Sequence, residues 1–295
     1  MNISKFCLGT VKLGMPNYGH SSTKNDNSSF TAIQVLKNVE TLGIYRVDTS
    51  PRYGTSEEIL GQYFTKCEIL PFVSSKIDFL RTNESCTPEI MIENVTLSLK
   101  KLNINHLDIC YLHQNDISII SDPYVHIGLN LLKEKKLIKY SGASVYTLEE
   151  CAYAIESKMF DYIQVPINIF DISFYYSYIK SGFKHVRFTA RSILLQGIIA
   201  NRKNILNQIK YAEDILNCLE AIDVIASENN LTTTQLALAY VFSLVGVDHY
   251  IIGSTSLHNI KKNIDCQCIK LNQETIESIT NLATKKKIWT NPRNW

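Results

Sequence analysis

The amino-acid sequence predicts a single (β/α)8 TIM barrel domain over residues 1–295. Short apolar segments alternate with amphipathic helical patterns, and eight such alternations follow one another at intervals of roughly 25–35 residues. A length of 295 residues with 45% hydrophobic content suits one large barrel or two ordinary domains. No low-complexity linker or abrupt change of composition divides the chain, which favours the single barrel.

The eight predicted strands are short and mostly lack polar–apolar alternation, as expected of parallel strands covered on both faces. An open doubly wound sheet would also alternate strands with helices, but no Gly-x-Gly-x-x-Gly motif follows the first strand. The strands are predicted at residues 6–8, 44–48, 71–75, 107–111, 138–142, 161–165, 186–190 and 249–252.

The segments between these strands carry the apolar stripes and end signals of helices. The first stripe, at Ile33, Leu36 and Val39, precedes Gly43, a residue typical of a helix C-terminus. The interval before the last strand is longer, so we expect residues 200–231 to hold an insertion on the catalytic face. Helix starts are predicted from capping signals at Thr87-Pro88, Thr147-x-x-Glu150, Thr232-x-x-Gln235 and Asn272.

Composition argues against several classes of partner. A net charge of +2 gives no strong attraction to nucleic acid or an anionic membrane. No apolar run approaches the roughly 18 residues of a membrane span, and no signal peptide begins the chain, so a cytoplasmic location is expected. The eight cysteines are scattered, and no second Cys/His pair lies at ligand spacing, which indicates free thiols and no metal site.

Four ionisable residues fall at or just beyond three successive predicted strands: Asp48, Tyr53, Lys76 and His113. In a (β/α)8 barrel, such positions meet at the catalytic face. Carbonyl reduction needs a hydride on carbon and a proton on oxygen. We expect Tyr53 to supply the proton, Lys76 to lower the pKa of Tyr53, and Asp48 to hold Lys76.

A neutral His113 is expected to hydrogen-bond the carbonyl oxygen. A side chain cannot supply the hydride, so a cofactor must. Taken singly, each of the four residues has a structural explanation, such as packing, helix capping or a solvated surface. Their joint occurrence at three successive strand ends favours catalysis.

The chain resembles the aldo-keto reductase superfamily. Residues 47–61 read VDTSPRYGTSEEILG and are similar to that family's DTAxxYGxSExxLG signature. Ser75-Lys76 and residues 107–113, LDICYLH, resemble the later family segments around the lysine and the histidine. The resemblance runs from Phe6 to about Ile264. It implies the same four roles and an extended NADPH or NADH across the barrel mouth.

The resemblance also implies a set of cofactor contacts. The loop after strand one would lie beneath the nicotinamide, strands five and six would bind its carboxamide, and the loop after strand seven, with a helix N-terminus, would bind the pyrophosphate. The segment after strand eight would face the adenosine. These cofactor residues are Gly9, Thr10, Val11, Asp48, Ser144, Gln164, Arg191, Ser192, Leu194, Gly197, Gly253, Thr255, Asn259, Lys262 and Asn263.

Three departures from the family pattern bear on the cofactor. Val145 replaces an asparagine that contacts the carboxamide, and Ile252 stands where a proline is frequent. The arginine that many NADP-preferring members carry is missing from residues 253–263. Lys262 or His258 remains to meet a 2′-phosphate, so NADPH is predicted and NADH is the alternative.

The predicted substrate is a small-molecule carbonyl compound that contacts Tyr18, Tyr53 and His113. Three segments resemble the branch of the family often found among bacterial surface-polysaccharide enzymes: residues 14–19, residues 191–197 and the Pro-Arg-x-Trp tail. This resemblance suggests a keto-sugar or another polar carbonyl compound. The C-terminal tail with Trp289 and Trp295 would border the substrate pocket or be disordered.

Two other functions remain open on the same scaffold. One is a nicotinamide-nucleotide-binding regulatory protein, like the β subunits of potassium channels. The other is a lyase or epimerase with a retained cofactor. A monomer is allowed, and the sequence does not determine the oligomeric state.

Overall fold

A computed structural model describes residues 3–15, 17–19, 29–78, 80–113, 116–202, 210–285, 287–291 and 294. Eight parallel strands close into a barrel in sequence order, with β1 paired to both β2 and β8. This confirms the predicted fold class. The strands are β1 (Phe6–Gly9), β2 (Arg46–Asp48), β3 (Phe72–Ile77), β4 (Leu107–Leu112), β5 (Ile138–Ser144), β6 (Tyr162–Pro166), β7 (Arg187–Arg191) and β8 (His249–Ile252).

Helices cover the outside of the barrel. The described α-helices are α1 (Val11–Gly14), α2 (Ser29–Thr41), α3 (Ser56–Phe64), α4 (Thr87–Leu102), α5 (Ile117–Ile120), α6 (Pro123–Glu134), α7 (Leu148–Glu156), α8 (Ala212–Glu228), α9 (Thr233–Ser243), α10 (Leu257–Asp265) and α11 (Gln273–Ala283). Short 3-10 segments occur at Ile3–Lys5, Leu195–Gly197, Cys266–Cys268 and Ile288–Thr290, and a π-helix occurs at Tyr175–Ile179.

Most of the predicted helix starts agree with the structure. Thr147 and Thr232 each form a reciprocal capping box, and Asn272 accepts from the backbone of Thr275. The exception is Thr87, which is the first helical residue, while Cys86 occupies the N-cap position without a side-chain hydrogen bond. Pro88 still lies in the first turn, where a missing N–H leaves no intrahelical bond unmade.

The long interval before β8 contains an additional helix. Helix α8 precedes α9 and packs against both α9 and α11. Residues 203–209 of the predicted insertion lie outside the described residues. Ala200 and Asn201, which precede these residues, line the cavity at the C-terminal ends of the strands.

Several strands extend further than the sequence predicted. Strand β3 continues through Ile77 because Lys76 and Ile77 pair with Tyr111 and Leu112 of β4. Lys76 therefore belongs to the strand rather than following it. None of the described helices is long and apolar enough to cross a membrane. Each of the eight cysteines is a free thiol.

Candidate active site

Three neighbouring strands position the four predicted catalytic residues. Asp48 is the last residue of β2, and its backbone pairs with Ser74 of β3. Lys76 lies near the end of β3, and His113 directly follows β4 with its N–H donated to the Ile77 carbonyl. Tyr53 follows β2 by a short turn in which its N–H bonds to the Ser50 carbonyl. All four side chains line one cavity at the C-terminal ends of the strands.

The Asp48 and Lys76 side chains form a buried ion pair. Nζ of Lys76 lies 2.6 Å from Oδ1 of Asp48 and 2.7 Å from the Thr49 carbonyl. The second oxygen, Oδ2, accepts from Gln164 at 2.6 Å and from Ser74 at 3.2 Å. Burial disfavours the ammonium, but the Asp48 carboxylate and the Tyr53 phenol together outweigh this effect and raise the pKa of Lys76. Lys76 is therefore a fixed positive charge at neutral pH.

The ammonium of Lys76 lies against the phenol of Tyr53, with Nζ 4.8 Å from the ring centroid. As the sequence led us to expect, Lys76 acts to lower the pKa of Tyr53, but it does not decide the net direction. Burial raises the pKa of Tyr53 above its ordinary value of 10.0, and the charge of Lys76 only partly opposes this. The sequence showed the nearby lysine but not how completely the barrel mouth desolvates the phenol.

His113 is held by a carboxylate that sequence reasoning missed. Its Nδ1 lies 2.6 Å from Oδ2 of Asp78 and 3.3 Å from Oγ of Ser50. Asp78 also forms an ion pair with Arg52, at 3.2 Å. Burial lowers the pKa of His113, and the hydrogen bond to Asp78 opposes this. The sequence could have indicated Asp78 by its position, two residues after Lys76 and just beyond the same strand.

The cavity beside these residues measures about 1030 Å³. Its walls combine loops from β1, β7 and β8 with the ends of the other strands. Tyr18, predicted as a substrate contact, is among the lining residues. So are most predicted cofactor residues: Gly9, Val11, Asp48, Ser144, Gln164, Arg191, Ser192, Leu194, Gly197, Gly253, Thr255, Asn259, Lys262 and Asn263.

Thr10 is the one predicted cofactor residue outside this lining. It is fully buried, and its hydroxyl donates to the Asp48 carbonyl at 3.0 Å. The hydroxyl also accepts from Ser56 at 2.8 Å. The side chain thus joins β1, β2 and α3 beneath the cavity and supports the backbone that carries Asp48.

The residues around Gln164 suit the carboxamide of a nicotinamide. Gln164 is 1% exposed and lines the cavity, and its Nε2 is already committed to Asp48. Its Oε1 is buried and has no hydrogen-bond partner within the described part of the chain. A buried amide oxygen of this kind needs a hydrogen-bond donor, and the amide group of a carboxamide can provide one. Ser144, at the end of β5, lies in the same wall.

The loop after β7 differs from the expected helix N-terminus. Its only helical part in the described residues is the three-residue 3-10 segment Leu195–Gly197. Ser192, Leu195 and Gln196 all have positive φ angles, of 57°, 46° and 52°. Non-glycine residues rarely adopt this conformation, and such strain concentrates at ligand sites. Gly19 packs against this loop and has to be a glycine, because a Cβ at position 19 would lie 2.5 Å from the Gln196 carbonyl oxygen.

Tyr146, Thr232 and Asp265 also line the cavity, and these three residues were not predicted from the sequence. Arg191 crosses from β7 to the β5 loop, where it donates to the Val145 carbonyl at 2.8 Å and stacks on Tyr146 with Cζ 3.9 Å from the ring centroid. At the opposite end, Thr232 and Asp265 join the predicted adenosine residues. The capping-box pattern at Thr232 predicted where the helix begins. Only the closed barrel shows that Thr232 also lines the cavity.

The described part of the C-terminal tail is neither disordered nor at the border of the cavity, the two possibilities that the sequence suggested. Trp289 is 2% exposed and packs against Phe170, with ring centroids 5.2 Å apart. The next residue, Thr290, donates to Asp171 at 2.8 Å. The segment is anchored to the loop after β6 and lies outside the cavity lining. Trp295 lies outside the described residues.

Comparison with known proteins agrees with this geometry. The model of the aldo/keto reductase family matches residues 5–284. The chain belongs to the aldo/keto reductase family. It is therefore an oxidoreductase of carbonyl compounds, in a family that uses nicotinamide cofactors.

Relatives of this aldo/keto reductase cover nearly all of its length at low identity. An aldo-keto reductase of Strobilurus tenacellus is 22% identical, covering 95% of this chain and 88% of that protein. An NADH-specific methylglyoxal reductase of Escherichia coli is 23% identical, covering 92% of each. The solved structure of a glycerol dehydrogenase from Gluconobacter oxydans superimposes with a TM-score of 0.74 at 20% identity, covering 96% of this chain and 93% of that one. The structural match shows the shared fold.

Proposed function

We propose that this aldo/keto reductase reduces an aldehyde or ketone to an alcohol with NADPH, or alternatively NADH, and that Tyr53 is the general acid. The observation that carries the proposal is the contact of a buried ammonium with a buried phenol. Nζ of Lys76 lies 4.8 Å from the Tyr53 ring centroid and 2.6 Å from Asp48. This contact lies at the wall of a cavity large enough for a dinucleotide and a small substrate.

The proton step follows from the charges around Tyr53. Because the pKa of Tyr53 is raised, the phenol is protonated at neutral pH and can donate to the carbonyl oxygen. As the C–O bond order falls, the oxygen takes the phenolic proton and Tyr53 becomes a phenolate. The Lys76 ammonium stabilises that phenolate, and Asp48 holds the ammonium in place.

A bound nicotinamide nucleotide supplies the hydride that the side chains cannot. Ser144 and Gln164 would bind its carboxamide, and the loop after β7 would cover its pyrophosphate. Lys262 would meet a 2′-phosphate and favours NADPH, whereas the carboxylate of Asp265 in the same end of the cavity favours the 2′-hydroxyl of NADH. The named activities of the relatives support a small polar carbonyl substrate.

Turnover and binding assays test the proposal. Purified protein with NADPH or NADH is expected to reduce members of a broad panel of aldehydes, ketones and keto-sugars. Tyr53→Phe should abolish this while nucleotide binding, followed by fluorescence quenching, remains. Tyr45→Phe is the matched control, because Tyr45 is 50% exposed and away from the cavity.

Two outcomes would contradict the proposal. Nucleotide binding without turnover of any carbonyl compound would favour the regulatory function. Equal turnover in the Tyr53→Phe variant would remove Tyr53 as the acid.

A further inference from the structure

The amino ends of the strands, opposite the candidate active site, carry a group of basic side chains. Arg46, Arg187 and His249 are the first residues of β2, β7 and β8. Residues two or four positions apart in a strand face the same side. Because residues 48, 191 and 251 of these strands line the catalytic cavity, Arg46, Arg187 and His249 also face the inside of the barrel.

Lys5 completes this group, which we call the amino-end cluster: Lys5, Arg46, Arg187 and His249. Lys5 directly precedes β1, and its Nζ donates to the Val247 carbonyl, just before β8, at 3.2 Å. Arg187 is exposed, and the other three side chains are half-buried. The cluster is therefore open to solvent at the end of the barrel.

Aromatic rings support the two guanidinium groups. Cζ of Arg46 lies 4.1 Å from the ring centroid of Phe72, and Cζ of Arg187 lies 5.5 Å from that of Tyr162. Arg187 also donates to the Tyr162 hydroxyl at 2.6 Å, and the Tyr162 ring lies 6.0 Å from the His249 ring. A guanidinium stacked on a ring keeps N–H groups at its edge for an anion.

Carboxylates do not neutralise the cluster within the described part of the chain. The ion pairs found there include none of Lys5, Arg46 and Arg187. Asp248 acts on Arg187 from beyond ion-pair distance, and its Oδ2 accepts from the Phe188 N–H at 2.8 Å. Positive charge is thus concentrated at the amino ends of the strands without a matching negative charge.

The imidazole of His249 responds to this concentration of charge. Burial, Arg46, Arg187 and Lys5 lower the pKa of His249 to about 4. An anion placed among these cations would reduce their mutual repulsion. It would also act on the adjacent His249 ring, which makes this residue a local reporter of binding.

We propose that the amino-end cluster binds a phosphate dianion, either free or carried by a small metabolite. Guanidinium groups bind phosphate oxygens through paired N–H donors, and Lys5 adds a point charge. Attraction grows with the charge of the ligand, so a group of three cations favours a dianion over a monocarboxylate. The inference goes beyond the proposed reductase function, because none of the four residues lines the catalytic cavity.

Titration of the full-length protein with inorganic phosphate at about neutral pH tests the site in the absence of nucleotide. Phosphate is expected to shift the His249 ring resonances, which are assigned by their loss in His249→Gln. It should also raise the melting temperature more than sodium chloride of equal ionic strength, because a ligand of the folded state stabilises that state. A parallel titration with glycerol 3-phosphate identifies the source, since the tighter ligand shows whether the phosphate is free or esterified.

Two variants locate the bound phosphate. Arg46→Gln should weaken its binding by about tenfold or more, because charged hydrogen-bond donors are lost. Lys262→Gln is the matched control, since it removes one cation from the catalytic cavity at the opposite end of the barrel. Lys262→Gln should leave the phosphate-dependent shift of the His249 resonances unchanged.

Three results would overturn the proposal. One is a phosphate effect on the wild-type protein that is no larger than that of sodium chloride. Another is tighter binding of malonate, a dicarboxylate, than of phosphate. The third is loss of phosphate binding in Lys262→Gln but not in Arg46→Gln, which would place the anion in the catalytic cavity. The first two comparisons use the wild-type protein, so they remain decisive even if a variant folds poorly.

Discussion

Lys76 and Asp48 form an ion pair with Nζ and Oδ1 2.6 Å apart, and their side chains are only 2% and 3% exposed. Removing one partner of such a pair leaves an uncompensated buried charge, whose cost exceeds the value of the pair itself. The contact that we propose to support catalysis therefore also affects the stability of the barrel.

Asp48→Asn should lower the free energy of unfolding by about 3–5 kcal/mol, because Lys76 stays buried without its carboxylate. Urea denaturation measures this. The double variant Asp48→Asn/Lys76→Met should recover part of the loss. The control Glu58→Gln breaks an exposed pair and should cost at most about 1 kcal/mol. An unchanged unfolding midpoint in Asp48→Asn would contradict the buried pair.

Tyr53→Phe should reduce kcat by about 100-fold to 10,000-fold, the usual contribution of a positioned acid. The wild-type rate of reduction should stay level through neutral pH and fall only above pH 10. The raised pKa keeps the donor proton on Tyr53 below that range and releases it above. Steady-state kinetics from pH 6 to 11 measure both effects. A decline that begins below pH 8 would exclude Tyr53 as the titrating acid.

Gln164→Leu should weaken nicotinamide nucleotide binding by roughly tenfold to a hundredfold, because the variant lacks the acceptor oxygen proposed for the carboxamide. Fluorescence quenching with NADPH and NADH measures the affinities. Gln62→Leu, at an exposed position of α3, is the matched control. Adenosine diphosphate ribose has no carboxamide. If its affinity for the Gln164→Leu variant falls by the same factor, the loss comes from general disturbance of the site.

Trp289→Ala should destabilise the protein by about 3 kcal/mol, because a buried indole leaves a cavity against Phe170. Urea denaturation of the variant tests this. Ile288→Ala serves as its control, since Ile288 is 57% exposed. Substrate KM should remain close to wild type, because Trp289 does not line the cavity. A large change of KM with unchanged stability would favour the substrate-pocket role.

His249, at the start of β8, should make stability depend on pH. Burial, with help from Arg46, lowers its pKa in the folded protein from 6.5 to about 4. Between these values the unfolded chain binds the proton and the folded protein does not, so stability falls as pH decreases from 6.5 toward 4. The loss should reach about 1–3 kcal/mol.

The variant His249→Gln should flatten this part of the pH dependence in urea denaturation. His106→Gln is the control, since His106 is exposed. The same slope in wild type and His249→Gln would assign the pH dependence to another group.

The strand order, the helix caps and the strand-end positions of Asp48, Lys76 and His113 were predictable because each depends on local pattern. Strand ends were less predictable, as at β3, where pairing of Ile77 with Leu112 extends the strand. The lowering effect of Lys76 on the pKa of Tyr53 was predictable, but the net rise was not, because desolvation depends on everything that closes over the phenol.

The sequence by itself determined the barrel, the family and which residues reach its catalytic face, since apolar periodicity and a local signature carry that information. Only the tertiary structure decided what those residues touch. Gln164 reaches Asp48 across 116 positions, and His113 reaches Asp78 across 35. Trp289 packs on Phe170 rather than on the substrate cavity. These contacts exist because barrel closure brings distant strand ends and the chain terminus together, and no local pattern encodes the distances between them.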